Sequence, residues 1–268
     1  MWNKQLYRIQ FKRLFSGWMF WASFAVSTFL IAMQTYTNYN PIYLDGWDFP
    51  ASVFSRWIGN DIGTFAASLF YDLLPLICML PFGIQYLIDK QNGYLKNLMT
   101  RVPAKAVITS YGVCTFIGAF VACMLPFLLS LLINSLLYPA LLPEATAGTL
   151  AAPSAMLFGA LYYTHPFLYC IVYSAITAMY EALLVLVGMA VGFMIKNIFF
   201  SLVLPFLFNF LASYIALSLH ITALAPIYIF QPTQQVLGDP AIILAWYVTC
   251  LLPTLVLFWR HMKNYEFY

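Results

Sequence analysis

The chain has 268 residues, of which 63% are hydrophobic and only 8% charged, and its mean hydropathy is +0.83. A soluble domain carries about a quarter of its residues charged, so this balance excludes one and describes a chain whose solvent is mostly lipid. The formal net charge of +3 requires no nucleic-acid partner, because the inner loops of membrane proteins collect Lys and Arg for topological reasons.

Residues 1–15 come first, with Lys4, Arg8, Lys12 and Arg13 set among Tyr7, Phe11, Leu14 and Phe15. Those apolar residues share one helical face with Trp18, which predicts an amphipathic helix at the inner membrane surface. A basic flank whose apolar residues merely approach lipid fits the same pattern. A first span follows at 16–34, read as a retained helix because no small-residue cleavage pattern follows Ala32. The outer loop 35–64 holds Trp47, Phe49, Trp57, Asp45, Asp48 and Asp61, and its rings suit the membrane interface.

The second span, 65–88, contains Asp72 and leads into an inner loop at 89–105. The third, 106–138, is longer than about 30 Å of hydrocarbon requires, and Pro126 is its expected bend. An outer loop at 139–166 with Tyr162, Tyr163 and His165 precedes the fourth span, 167–195, which carries Glu181 and a Gly188, Gly192 step that permits close helix approach. The fifth span is 198–220. Residues 221–239 are apolar as far as Phe230 and are then broken by Gln231, Pro232 and Gly238, which predicts a re-entrant segment. A last span covers 240–259.

Lys and Arg are distributed with a period of two loops. They cluster before the first span, in the loop after the second (Lys90, Lys96, Arg101, Lys105), at Lys196, and after the last (Arg260, Lys263), and only Arg56 falls in an alternate gap. Basic residues near helix ends stay on the cytoplasmic side, so the pattern predicts an all-α polytopic protein with six transmembrane helices and both termini inside. Residues 1–268 form one membrane domain, with too little chain left over for a separate catalytic unit.

Enzymatic motifs are nearly absent. No H-E-x-x-H motif is present, and His165, His220 and His261 are dispersed without metal-ligand spacing. Ser218 and His220 are close but lack a G-x-S-x-G setting. No phosphate-cradling G-x-x-x-x-G-K-[ST] loop occurs, so any ATP hydrolysis belongs to another polypeptide. Cys78, Cys114, Cys123, Cys170 and Cys250 show no C-x-x-C pair and read as small packing residues. Asp72 and Glu181 are the intramembrane polar candidates. A carboxylate at mid-membrane costs about 2.5–3.5 kcal/mol on insertion scales, so each is expected to face the protein interior, a partner or a water-filled cavity. One reading makes them helix-bridging carboxyls and the other a proton or substrate pathway.

The inner loop is the most specific local feature. Leu95, Leu98 and Met99 follow i, i+3, i+4 spacing while Lys96 and Arg101 point elsewhere, predicting a short amphipathic helix closed before Pro103. Either another protein or the lipid headgroups would receive it. With Asp89, Gly93, Leu95, Leu98 and Pro103 in sequence, the loop resembles that of the membrane subunits of ABC-2-type ABC transporters, in which an acidic residue, a Gly, a Leu-rich helix and a Pro join the second and third spans. The resemblance extends to the six-span topology, the amphipathic leader and the outer segment before the last span.

That resemblance implies a coupling helix seated on a separate ATP-binding subunit, present in two copies, with ATP and Mg bound there and no cofactor in this chain. It further implies a second permease subunit, the same or a related chain, and export of a hydrophobic or amphipathic cargo, such as a peptide, lipid or drug, across a bacterial cytoplasmic membrane. An antimicrobial-peptide export or immunity role is the narrower form. Two other readings compete: a proton-coupled secondary transporter using Asp72 or Glu181, and a non-transporting scaffold or sensor.

Overall fold

A computed structural model describes residues 2–39, 51–61, 64–143, 157–195, 197–232 and 238–265. Helices and short turns account for the described residues, and five helices are long and apolar enough to cross a membrane. The protein is an α-helical membrane protein.

The chain begins with α1 (Trp2–Ser16), turns at the extended Gly17 and continues as α2 (Trp18–Asn38). The single extended residue lets α1 lie against the bundle instead of extending α2. Its buried face is Leu6, Gln10 and Leu14, at i, i+4 spacing, whereas Phe15 and Trp18 are exposed. The apolar face expected from Tyr7, Phe11, Phe15 and Trp18 is thus only partly the packed one. Gln10 displaces apolar residues from that face because it belongs to a polar network described below.

Residues 51–61 fold back on the bundle as α3 (Val53–Arg56) and a 3-10 turn (Ile58–Asn60). Trp57, expected at the membrane interface, is fully buried. Its indole Nε1 donates to the Phe127 carbonyl at 3.1 Å, and the Ile58 N–H donates to Ser130 Oγ at 3.1 Å. The pull of a satisfied N–H and a large apolar ring into the core outweighs interfacial solvation here. Asp61 pins the same segment to α2, accepting from Gln34 Nε2 and Asn38 Nδ2, each at 2.8 Å. Trp47, Phe49, Asp45 and Asp48 lie outside the described residues, as does Lys196.

The expected second span is divided. α4 (Phe65–Met79) is capped at Thr64 and is about 22 Å long, short for a bilayer crossing. Residues 80–84 form a turn around Pro81 and Gly83, and α5 (Gln85–Gln91) resumes beyond it. Pro81 lacks the N–H that would continue the α4 ladder. Gly93, with φ +74°, separates α5 from α6 (Tyr94–Met99). Nothing stands within 4 Å of where a Cβ would sit, so the left-handed backbone alone calls for glycine here.

α7 (Ala104–Leu137) runs 34 residues as one helix through Pro126. After α8 (Gly159–Thr164) comes α9 (Pro166–Gly192), the most buried of the long helices, which contacts α4, α7, α10 and α12. α10 (Ile198–Ser218) starts at Asn197, whose side chain accepts the Phe199 N–H. Gly188 and Gly192 bring α9 and α10 together: a Cβ on Gly188 would stand 2.6 Å from Pro205, and the Ser201 hydroxyl donates to the Gly188 carbonyl at 3.0 Å. The segment after α10 forms a 3-10 turn (Thr222–Leu224) and α11 (Pro226–Ile229), and α12 (Pro240–Tyr265) closes the chain.

The core forms two buried clusters. One joins α2, α4, α7 and α9 around Trp57, Phe70, Phe127 and Tyr173. The other, around Tyr86, Tyr111 and Phe193, sits where α1, α5, α6 and the start of α7 meet the end of α12. All five cysteines are buried and free, in keeping with their reading as packing residues.

Candidate functional site

The second cluster is capped by a polar network that the inner-loop residues build with α1. Asp89, near the end of α5, is only 4% exposed. Arg13 of α1 meets it in a forked contact, Nη2 to Oδ1 at 2.8 Å and Nη1 to Oδ2 at 2.7 Å. Tyr111 of α7 donates its hydroxyl to Asp89 Oδ2, and Gln85 Nε2 donates to Oδ1 at 2.9 Å. Arg13 also donates to Gln10 Oε1 at 3.2 Å and to the Tyr111 hydroxyl at 3.3 Å, and its guanidinium lies 4.8 Å over the Tyr94 ring of α6. Hydrogen bonding to Asp89 holds the Arg13 guanidinium above its ordinary pKa, against the opposing effect of burial. One ion pair therefore ties α1, α5, α6 and α7 together, and a displacement of any of them meets resistance from the rest.

Sequence reasoning assigned Asp89 to docking a partner. The structure instead turns it inward, and its carboxylate is satisfied within the chain. The same holds for the apolar stripe of α6: Leu95 is buried, and Leu98 and Met99 pack partly into the second cluster. The solvent-facing side of α6 and of the turn after it is Tyr94, Lys96, Asn97, Thr100 and Arg101, with Pro103 exposed just before α7. Between α1 and α6 lies a groove of about 410 Å³, lined by Gln5, Leu6, Ile9, Tyr94, Asn97, Leu98, Arg101 and Val102. Arg13 was missed as a site residue. The signal for it was weak, a buried acid requiring some distant cation.

Charge is segregated along the bundle. Lys4, Arg8, Lys12, Lys96, Arg101 and Lys105 are exposed at the end where α1 and α6 sit, and Arg260 follows at the same end in α12. Arg56 lies at the opposite end, where the Arg56 carbonyl accepts from Gln34. His261, also at the basic end, contacts Tyr86 Oη at 2.6 Å and stacks on Phe193. Among the described residues no group of His, Cys, Asp and Glu has metal-ligand geometry.

The two intramembrane acids part company. Asp72 is exposed on α4, in line with Phe65 and Ser68, and faces away from the bundle. Glu181 is 3% exposed on α9, beside the segment that follows α10. Side chains of α9 grip that segment. Tyr169 donates to the Pro232 carbonyl at 3.1 Å, Tyr173 to that of Ile229 at 2.6 Å and Thr177 to that of Phe230 at 2.8 Å, while Tyr180 stacks on the Phe230 ring at 3.8 Å. Irregular backbone survives in an apolar bundle only when its carbonyls find donors, and these hydroxyls provide them. The i, i+4 spacing of Tyr169, Tyr173 and Thr177 was the available sequence signal for this grip.

In comparison with known proteins, the chain matches no family model, no curated protein and no solved structure.

Proposed function

We propose that the protein is the membrane-spanning permease subunit of an ATP-driven exporter, with α6 as the element through which a separate ATPase acts. The observation that carries this reading is the ion-paired junction of Arg13 and Asp89, which ties α5 to α1 and α7 and meets the short, outward-facing α6 through the Tyr94 ring under Arg13. Such a junction suits the transmission of force, because a movement of α6 that carries α5 with it would strain a largely buried charge pair. Two ATPase copies that close on ATP would shift α6, and the junction would carry that shift into α1, α2 and α7 only if the open and closed ATPase pairs contact α6 differently.

In this reading α4 and α5 together make a kinked second crossing, giving six crossings with both termini on the cytoplasmic side of a bacterial membrane. The exposed Asp72 and Ser68 on α4 favour a second permease subunit, a copy or a relative, against that face, since a lipid-exposed carboxylate is costly. The cargo is hydrophobic or amphipathic, and ATP with Mg belongs to the partner. The contact surface is Lys96 and Asn97 on α6 with Arg101 just beyond it, Leu95, Leu98 and Met99 holding the helix in place and Gly93 and Pro103 flanking it.

The test is recovery of nucleotide-hydrolysing activity with the tagged protein purified from native membranes. Reversing both exposed charges, Lys96→Glu with Arg101→Glu, is expected to lower the associated ATPase activity by about tenfold or more, equivalent to about 1.4 kcal/mol. Unchanged activity in the well-folded double variant would remove α6 as the docking element.

A further inference from the structure

A small cavity lies between α4, α9, α10 and α11, lined by Tyr71, Thr177, Glu181, Asn209, Phe230 and Gln231 among others, with a volume of about 10 Å³. Two buried groups at it have no hydrogen-bond partner: Glu181 Oε2 and the Tyr71 hydroxyl. Leaving two such atoms unsatisfied in an apolar bundle is unfavourable. The space is that of one water, which needs two to four polar partners, and two are present.

We propose that Glu181 is a proton-binding site, its carboxyl protonated and bridged to Tyr71 by a single trapped water. The proton sits on Glu181 Oε2, this O–H donates to the water, and the water donates to the Tyr71 hydroxyl oxygen. A proton is favoured over a metal cation by the state of the other oxygens. The carbonyls of Ile229, Phe230 and Pro232 already accept from Tyr173, Thr177 and Tyr169, and Asn209 Oδ1 accepts from Tyr180. Too few oxygens remain to replace a cation's hydration shell. The titratable groups around Glu181 are Tyr71 and Cys78 from α4, Cys123 from α7, Tyr180 on its own helix and Cys250 from α12. All are neutral when protonated, and none is a cation.

Because Glu181 and the gripped segment share one cavity, gain or loss of this proton changes the support under Phe230 and Gln231. The inference is independent of any ATPase partner and survives if α6 docks nothing.

Infrared difference spectroscopy of the full chain in lipid nanodiscs tests it. The wild type is expected to show the carbonyl-stretching band of a protonated, non-aqueous carboxylic acid at neutral pH. Glu181→Gln should lose that band, and an equal spectrum in the two proteins overturns the assignment. Tyr71→Phe, which removes one hydroxyl and keeps the ring, should retain the band but shift it to higher frequency as the bridge is lost. An unmoved band in Tyr71→Phe overturns the bridging water. If Glu181→Gln fails to fold, titration of the wild type decides: the band must disappear as pH rises, and its absence at every pH overturns the proposal.

Discussion

Arg13 and Asp89 are 76 positions apart, yet they form a close, forked ion pair. The pair is largely inside the protein, with the Arg13 side chain 30% exposed and that of Asp89 6%. Removing one partner from such a site strands a buried charge, at a cost of about 3 kcal/mol. Arg13→Ala and Asp89→Ala are each expected to lower the thermal stability of the purified protein substantially, and the double variant to be little worse than either. A double-mutant cycle checks this, and additive losses would show that the two do not act together. The raised Arg13 pKa has a definite sign. Its contribution is fully present below the ordinary arginine value and is lost only as pH rises through the folded one, so it is constant across the neutral range. At Asp89 the sequence was legible in part: an acid in a basic loop stood out, but its partner and its inward orientation did not, because contacts across 76 residues leave no local pattern.

Among the elements, α9 organises the bundle. About two-thirds of its apolar window is buried, against 17% for α10 and 22% for α12, which makes those two peripheral. Its Gly188 and Gly192 face α10, and its hydroxyls hold the segment before α12. Replacing a helix glycine by alanine ordinarily stabilises the helix by about 0.5–1 kcal/mol. At Gly188 the opposite is expected, because the new methyl would stand 2.6 Å from Pro205, and overpacking costs about 1–3 kcal/mol. A lower midpoint of thermal unfolding in detergent for Gly188→Ala checks the contact, and a higher midpoint would refute it. The Gly188, Gly192 spacing was readable beforehand, whereas the identity of the helix it meets was not. α6 shows the complementary case. Its Leu95, Leu98 and Met99 periodicity correctly indicated an amphipathic helix, but an apolar stripe does not say whether its own bundle or another molecule will cover it.

At the scale of the whole molecule, charge segregation is the dominant feature. Exposed Lys and Arg gather where α1, α6 and the end of α12 meet, and Asp61 with its α2 partners occupies the opposite end. The topology proposed above puts this basic end on the inner side, in line with the general bias of inner loops. A cysteine placed at the exposed Asn97 is therefore expected to resist a membrane-impermeant thiol reagent in sealed cells, while one at the exposed Thr37 reacts. The native cysteines, all buried, should contribute little background. Labelling of Asn97→Cys from outside would invert the topology and with it the function proposed above.

Composition, hydropathy and the placement of Lys and Arg were enough to establish a helical membrane protein and where most of its helices run, because lipid obliges every crossing segment to satisfy its own backbone and remain apolar over its full length. Local patterning could not reach the division of residues 65–88 at Pro81, the burial of Trp57, or the separation of Asp72 from Glu181, one outward and one inward. Those outcomes were decided by tertiary packing. In an apolar chain nearly every face is hydrophobic, so which face turns inward depends on where the few hydrogen-bonding and charged groups find partners across the bundle.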